Sequence, residues 1–136
     1  AMPSVFLTRR YTFSSAHRLH SEALTADENA RLYGKCNSAN GHGHNYAVEV
    51  TVTGPVDPRT GFCADLPKLD AAVKRFVLDR FDHHDLNALP EFALLVPTGE
   101  VIARVIWDTL AAQGLPLAAV RLQETRDNFF EYRGNR

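Results

Sequence analysis

Residues 42–53 read HGHNYAVEVTVT, and this stretch decides the fold. Its larger part, residues 45–53, is rich in β-branched and aromatic side chains, a composition that predicts a strand. Residues two apart on a strand point to the same face, so the rings of His42 and His44 can converge on one point. Gly43 between them lets the backbone and a ligand approach closely. The stretch therefore predicts a strand that begins at two convergent imidazoles.

Two other parts of the chain also predict strands. Residues 5–14 have a similar strand-forming composition. Residues 120–132 predict a hairpin that turns at Asp127-Asn128, because strand-forming residues stand on both sides of a turn signal. With residues 45–53, these segments give four strands.

Capping residues mark the helices. Asp65 can cap a helix that continues through about Phe81, and Thr98 can cap a second one that Gly114 ends. A capping box at residues 25–28 predicts a short additional helix.

The order of the main elements, ββααββ, predicts an α+β fold in a single domain, residues 1–136. In this fold a four-stranded antiparallel sheet carries the two main helices on one face. The sheet has open edges, which invite strand pairing between subunits.

Composition excludes several classes of function. The 136 residues carry a formal net charge of −1, which gives no electrostatic footprint for nucleic acid or membrane binding. No apolar run approaches the roughly 20 residues that span a bilayer, and no signal peptide opens the sequence. Two cysteines do not make a disulfide framework, so we expect free thiols and a cytoplasmic location.

A third imidazole stands at the end of the first predicted strand, in Phe13-Ser14-Ser15-Ala16-His17. With His42 and His44 it makes a set of three nitrogen ligands without an obvious fourth protein ligand. Such a set suits a Zn²⁺ ion that keeps one coordination position open, as catalytic zinc does. An isolated His-x-His pair on a strand is also compatible with a hydrogen-bonded surface pair, but a third histidine and a nearby thiol favour the metal.

Cys36 lies in a loop rich in glycine and asparagine, six residues before His42. An accessible thiol near a cation favours the thiolate, which can act as a base or nucleophile. It could instead be a fourth zinc ligand or an inert core thiol. Cys63 has no such neighbours and is expected to be structural.

Two acidic positions have both catalytic and structural interpretations. Asp82 precedes His83 after the first long helix, and a carboxylate beside an imidazole can orient a general acid or base; the alternative is a solvated helix end. Glu124 falls on an apolar strand face, where a carboxylate needs a partner. It could accept two parallel N–H donors from a pterin or guanine edge, or be a paired structural residue. Thr98 and Glu100 fit a helix start.

Six motifs together resemble the 6-pyruvoyl-tetrahydropterin synthase family, which has the tunnelling fold. They are Phe13-Ser14-Ser15-Ala16-His17-Arg18-Leu19, Gly34-Lys35-Cys36-Asn37, Asn40-Gly41-His42-Gly43-His44-Asn45-Tyr46, Asp82-His83, Pro97-Thr98-Gly99-Glu100 and Gln123-Glu124-Thr125. The resemblance covers residues 9–134. It implies a homo-hexamer of two trimers whose sheets join into barrels, with sites between subunits.

The resemblance also implies a role for each candidate residue. It implies zinc held by three ligands, His17, His42 and His44. It implies that Cys36 is the proton-abstracting base and that Asp82 and His83 complete a Cys-Asp-His relay. Glu124 would anchor the pterin and join the charge relay.

Thr98 and Glu100 match the family's pterin pocket. One departure from the family pattern is Val101, where many members have asparagine.

Two activities share this frame. The pyruvoyl synthase of tetrahydrobiopterin biosynthesis converts 7,8-dihydroneopterin triphosphate to 6-pyruvoyl-tetrahydropterin with loss of triphosphate. The 6-carboxy-5,6,7,8-tetrahydropterin synthase of queuosine biosynthesis acts on the same substrate. Residues 37–41 separate the thiol from His42, a spacing that resembles the pyruvoyl type. A non-catalytic zinc-binding assembly and a pterin-binding regulator without turnover are the alternatives from other classes.

Overall fold

The central feature of the fold is a long antiparallel pair of strands, β1 (Ser4–His17) and β2 (His42–Pro55). The computed structural model describes residues 2–135. The pair is in continuous register from Ser4 opposite Pro55 to His17 opposite His42. Both strands extend beyond the predicted ranges 5–14 and 45–53, because each partner supplies hydrogen bonds to residues whose own composition is neutral.

The sheet has five strands rather than the predicted four. The others are β3 (His84–Asp85), β4 (Leu117–Thr125) and β5 (Asn128–Tyr132), and the order is β3-β1-β2-β4-β5. Four strands are antiparallel as predicted, but β3 pairs with β1 in parallel, so the prediction of a four-stranded antiparallel sheet is wrong in this respect. A two-residue strand has no sequence pattern; it forms because the chain leaving a helix runs along the open edge of β1.

Within residues 2–135, four α-helical segments accompany the sheet. They are α1 (Ala26–Tyr33), α2 (Leu66–Val73), α3 (Asp79–Phe81) and α4 (Gly99–Ala111). The capping box of α1 and the predicted caps Asp65 and Thr98 are all present. None of the helices within residues 2–135 is long and apolar enough to cross a membrane.

The helix predicted from Asp65 to Phe81 contains a π-helical segment, Lys74–Leu78, between α2 and α3. Four of the apolar residues between Asp65 and Phe81 recur at every fourth position, and each is almost completely buried: Leu69, Val73, Val77 and Phe81. An α-helix turns about 100° per residue, so this strict spacing would drift around the helix. The wider π turn keeps the four side chains on the core face.

Helices α2, α3 and α4 share a hydrophobic core with the sheet, whereas α1 contributes no residue to it. Val48 and Val50 of β2 and Ile102 and Ile106 of α4 belong to this core and are all fully buried. At its start, α4 approaches β5 so closely that a Cβ added to Gly99 would lie 2.1 Å from the ring of Phe130. This contact fixes the start of α4 against the terminal hairpin.

Candidate active site

The three candidate metal ligands meet at one end of the β1–β2 pair. His17 ends β1 directly opposite His42, which begins β2, and His44 follows on the same face. The ring centroids of His17 and His42 are 4.5 Å apart, and those of His42 and His44 are 4.8 Å apart. One ligand atom from each ring lies within 4.8 Å of the other two. The strand register therefore brings the three imidazoles together.

Hydrogen bonding leaves metal-binding nitrogens free. Nδ1 of His17 lies 2.8 Å from the carbonyl oxygen of Pro97, and because a carbonyl can only accept, Nδ1 carries the proton. Nε2 of His17 is thus unprotonated, and this orientation by a backbone carbonyl is common for metal-ligating histidines. Nε2 of His17, both ring nitrogens of His42 and Nε2 of His44 are buried without a partner among residues 2–135.

Burial keeps these imidazoles neutral. His17 is 1% exposed, and desolvation lowers its pKa to about 4. Burial also lowers the pKa values of His42 and His44. Neutral imidazoles are the form that binds metal, so the donor set, its burial and its unpartnered nitrogens fit a zinc ion.

Cys36 lies near this cluster but outside it. The thiol is half-buried in a 3₁₀ turn, Gly34–Asn37, and is not among the converging ligand atoms. Tyr46, two residues beyond His44, has a pKa raised by burial, with further contributions from Glu124 and Cys36. The thiol and the Glu124 carboxylate therefore both lie within electrostatic reach of the Tyr46 phenol.

Asp82 and His83 are held together at the other edge of β1. Ser14 N–H donates to Oδ1 of Asp82 at 2.8 Å, and His83 N–H donates back to the Ser14 carbonyl at 2.6 Å. Oδ2 of Asp82 lies 3.6 Å from Nε2 of His83, whose side chain is 82% exposed. Within residues 2–135, neither forms a hydrogen bond or ion pair with Cys36. One subunit thus assembles the Asp-His pair but does not bring it into contact with the thiol.

His83 and His44 nevertheless border a common space. Both line a cleft of about 440 Å³, together with Asn45. The backbone of His83 is left-handed, with φ at 57°, a conformation that L-residues other than asparagine, aspartate and histidine adopt seldom. This conformation accompanies the turn of the chain from α3 into β3.

Glu124 lies on β4, the strand that pairs with β2 on the side away from β1. It is half-buried where the β4–β5 register shifts between Gln123 and Thr125. Burial raises the pKa of its carboxyl group, the nearby Glu100 raises it further, and His42 opposes the shift. The structure thus brings Glu124, Glu100 and His42 into one neighbourhood.

Thr98 caps α4, the helix whose first turn contains Glu100. Its hydroxyl accepts from the Val101 N–H at 3.3 Å, at the start of α4, and leaves Glu100 exposed in the first turn. The structural interpretation of Thr98 as a helix cap is thereby established.

Two groups near the histidines were not predicted from the sequence. Tyr46 shares the strand face of His44, so the same i+2 spacing could have found it; its hydroxyl lies 3.4 Å from Nδ1 of His17. Pro97 contributes only a backbone carbonyl, for which residue types give no signal.

Comparisons with known proteins agree with these motifs. The family model described as 6-pyruvoyl tetrahydropterin synthase matches residues 6–135. A Drosophila melanogaster protein named 6-pyruvoyl tetrahydrobiopterin synthase is 44% identical over 97% of this chain and 81% of its own length. The structure of Caenorhabditis elegans 6-pyruvoyl tetrahydropterin synthase superposes with a TM-score of 0.94 at 41% identity, covering 98% of both chains.

A more distant relative has a different name. The putative 6-carboxy-5,6,7,8-tetrahydropterin synthase of Archaeoglobus fulgidus is 34% identical over 83% of this chain and 91% of its own length.

Removing either strand ligand should abolish metal binding. We expect His42→Ala and His44→Ala each to lose most of the zinc that the protein binds, because three imidazoles converge among residues 2–135 and two cannot hold the ion tightly. His84→Ala is the control, since that ring is exposed and bonded to the carbonyl of Asp82. Metal content measured by mass spectrometry after dialysis decides the matter; full occupancy in either test variant would contradict the assignment.

Proposed function

The chain belongs to the 6-pyruvoyl tetrahydropterin synthase family, and we propose that it converts 7,8-dihydroneopterin triphosphate to 6-pyruvoyl-tetrahydropterin with elimination of triphosphate. The observation that carries the proposal is the cluster of one buried and two half-buried imidazoles whose unpartnered nitrogens converge beside Glu124. Relatives named for this activity are 44% identical over nearly the whole chain.

We propose that the cluster holds zinc through His17, His42 and His44. When bound, the ion supplies Lewis-acid chemistry that lowers the pKa of substrate hydroxyls. The hydrogen bond from His17 to Pro97 fixes the ring orientation of one ligand.

Residues of the protein bind the substrate and transfer its protons. Glu124 accepts hydrogen bonds from the pterin edge, and Thr98 and Glu100 border the same pocket. Cys36, as thiolate, takes a carbon-bound proton that the adjacent ring imine makes acidic. His83, oriented by Asp82, transfers protons during the same rearrangement. The two hydroxyl-bearing carbons lose their hydrogens and become carbonyls, while ring N5, ring C6, the carbon that loses triphosphate and the released triphosphate gain protons. Hydrogen is redistributed within the substrate, so the reaction needs no external oxidant or reductant.

The second candidate is 6-carboxy-5,6,7,8-tetrahydropterin synthase. The Archaeoglobus fulgidus relative bears that name, but it is less similar than the relatives named for the pyruvoyl activity. The spacing of residues 37–41 between the thiol and His42 resembles the pyruvoyl type. Acetaldehyde among the products distinguishes the two activities.

A non-catalytic assembly would use Cys36 as a fourth ligand. Its thiol lies outside the converging group, which favours the catalytic alternative. X-ray absorption of the zinc-loaded protein distinguishes them, since sulfur in the first coordination shell would support the closed site.

Turnover should depend on Cys36 and not on the second thiol. With 7,8-dihydroneopterin triphosphate as substrate, we expect a single pterin product of pyruvoyl mass, and a rate in Cys36→Ala that is lower by about 10²–10⁴-fold, the usual contribution of a general base. Cys63→Ala should retain the wild-type rate. Equal losses of rate in the two variants would refute the assignment of Cys36 as the base. A product with the mass of 6-carboxy-tetrahydropterin would refute the proposed reaction in favour of the second candidate.

We also propose a homo-hexamer of two trimers in which neighbouring subunits complete each site. The exposed His83 and the lack of contact between it and Cys36 within residues 2–135 support sharing of the relay between subunits. The edge strands β3 and β5 are short and free on one side, which permits sheets to join.

Subunit mixing tests this arrangement. Cys36→Ala and His83→Ala should each be nearly inactive alone, and hexamers reassembled from both should regain part of the activity, because some sites then combine an intact thiol with an intact imidazole. Light scattering should report six subunits. Mixed hexamers without any recovery, or a fully active monomer, would contradict a shared site.

Substrate affinity should depend on the Glu124 carboxylate. In Glu124→Gln an amide donor would face a ring N–H, an unmatched contact that costs roughly 1–3 kcal/mol. Substrate affinity should fall at least about tenfold while zinc content is retained. Glu131→Gln is the matched control, from the same hairpin and paired with Arg133. Isothermal titration of substrate into inactive Cys36→Ala background protein measures the affinity; wild-type affinity would show that Glu124 is structural.

A further inference from the structure

The loop that carries Cys36 is fastened by side chains rather than by a sheet. β1 ends at His17 and β2 begins at His42, so residues 18–41 lie outside the strand ladder. Asparagine side chains from three separate segments pair with the backbone that follows His17: Asn29, Asn37 and Asn87. Asn87 holds Arg18 from both sides, accepting from its N–H at 2.7 Å and donating to its carbonyl at 3.0 Å.

Asn37 is the member of this set that stands next to the thiol. Its side-chain amide donates to the Leu19 carbonyl at 2.7 Å, while the Leu19 N–H donates to the Cys36 carbonyl at 2.8 Å. The Arg18 guanidinium donates through Nε to the Asn37 carbonyl at 3.0 Å. The turn that bears the thiol is thus joined to the residues immediately after a metal ligand.

The second N–H of the Asn37 amide is also used. It faces Nδ1 of His20 at 3.1 Å, and Nε2 of His20 faces Glu22 at 3.4 Å. With Nε2 protonated toward the carboxylate, Nδ1 is an acceptor, so both amide hydrogens have partners. Neither alanine nor aspartate at position 37 could supply these two donors.

We infer that Asn37 is a positioning residue that holds the Cys36 thiol at a fixed place relative to His17. The inference rests on the proposed function in one respect, the assignment of Cys36 as the base. Its mechanical content, that the Asn37 amide orders the turn Gly34–Asn37, does not depend on the substrate. A base displaced by about 1 Å can lose about 10²-fold in rate, so a residue that only orders the turn affects turnover strongly.

Asn37→Ala tests the inference in zinc-loaded protein. We expect amide hydrogen exchange in peptides covering residues 18–20 and 35–38 to accelerate about tenfold, since two hydrogen bonds are removed. Alkylation of Cys36 by iodoacetamide should accelerate as well, with Cys63 in the same chain as an internal reference. The value of kcat should fall about 10–100-fold with KM within about threefold of wild type, because substrate binding uses other residues.

The matched control is Asn40→Ala, the same change in the same loop at an exposed residue whose side chain has no hydrogen bond among residues 2–135. It should leave exchange and alkylation at residues 35–38 unchanged. Asn37→Asp, which keeps the volume and withdraws both donors, repeats the exchange measurement should Asn37→Ala not fold.

Each result decides the inference. Unchanged exchange and alkylation, or an unchanged kcat, would overturn it, as would loss of zinc from Asn37→Ala, which would make Asn37 a support of the metal site. If wild-type protein does not turn over the proposed substrate, the proposed function fails, while exchange and alkylation still show whether Asn37 holds the thiol.

Discussion

The register of β1 against β2 is the constraint on which the candidate site depends. Side chains on a strand alternate between faces, so a slip of one residue would turn His42 and His44 away from His17. The continuous pairing from Ser4 to His17 excludes such a slip, because the slip would also expose the valines of β2 that fill the core. The packing that stabilises the sheet and the convergence of the imidazoles therefore have the same cause.

Removing three imidazoles wholly or partly from water is unfavourable unless something compensates for their lost hydration. Among residues 2–135, Nδ1 of His17 recovers hydrogen bonding, at the carbonyl of Pro97 and more weakly at the Tyr46 hydroxyl, while four ring nitrogens of the cluster recover none. Pro97 immediately precedes the residues that begin α4, and Gly99 in turn packs against Phe130. The start of α4, which includes Glu100, is thus linked to the candidate metal ligand His17 by a short chain of direct contacts.

Much of the fold and the site could be predicted from the sequence, and the exceptions have physical reasons. Strand composition and capping residues marked the main elements, and the i+2 spacing placed His42 and His44 together. The parallel strand β3 could not be predicted, because its two residues pair only when the chain passes the edge of β1. The π-helical segment is reflected in the four-residue spacing of the apolar residues from Leu69 to Phe81. That spacing also fits an ordinary amphipathic helix, so it could not predict the π turn.

The pairing of His17 with His42 closes the loop of residues 18–41 at its base. The entropy of closing a flexible loop grows only with the logarithm of its length, about 0.6 kcal/mol for each doubling. An insertion or deletion in the exposed segment 38–40, outside α1 and the parts of the loop that asparagine side chains fasten, therefore costs little and leaves the strand register intact. One within β1 or β2 would displace the candidate ligands beyond it. The number of residues between Cys36 and His42 can consequently vary in evolution. The position of the thiol can then change while the histidine cluster stays the same.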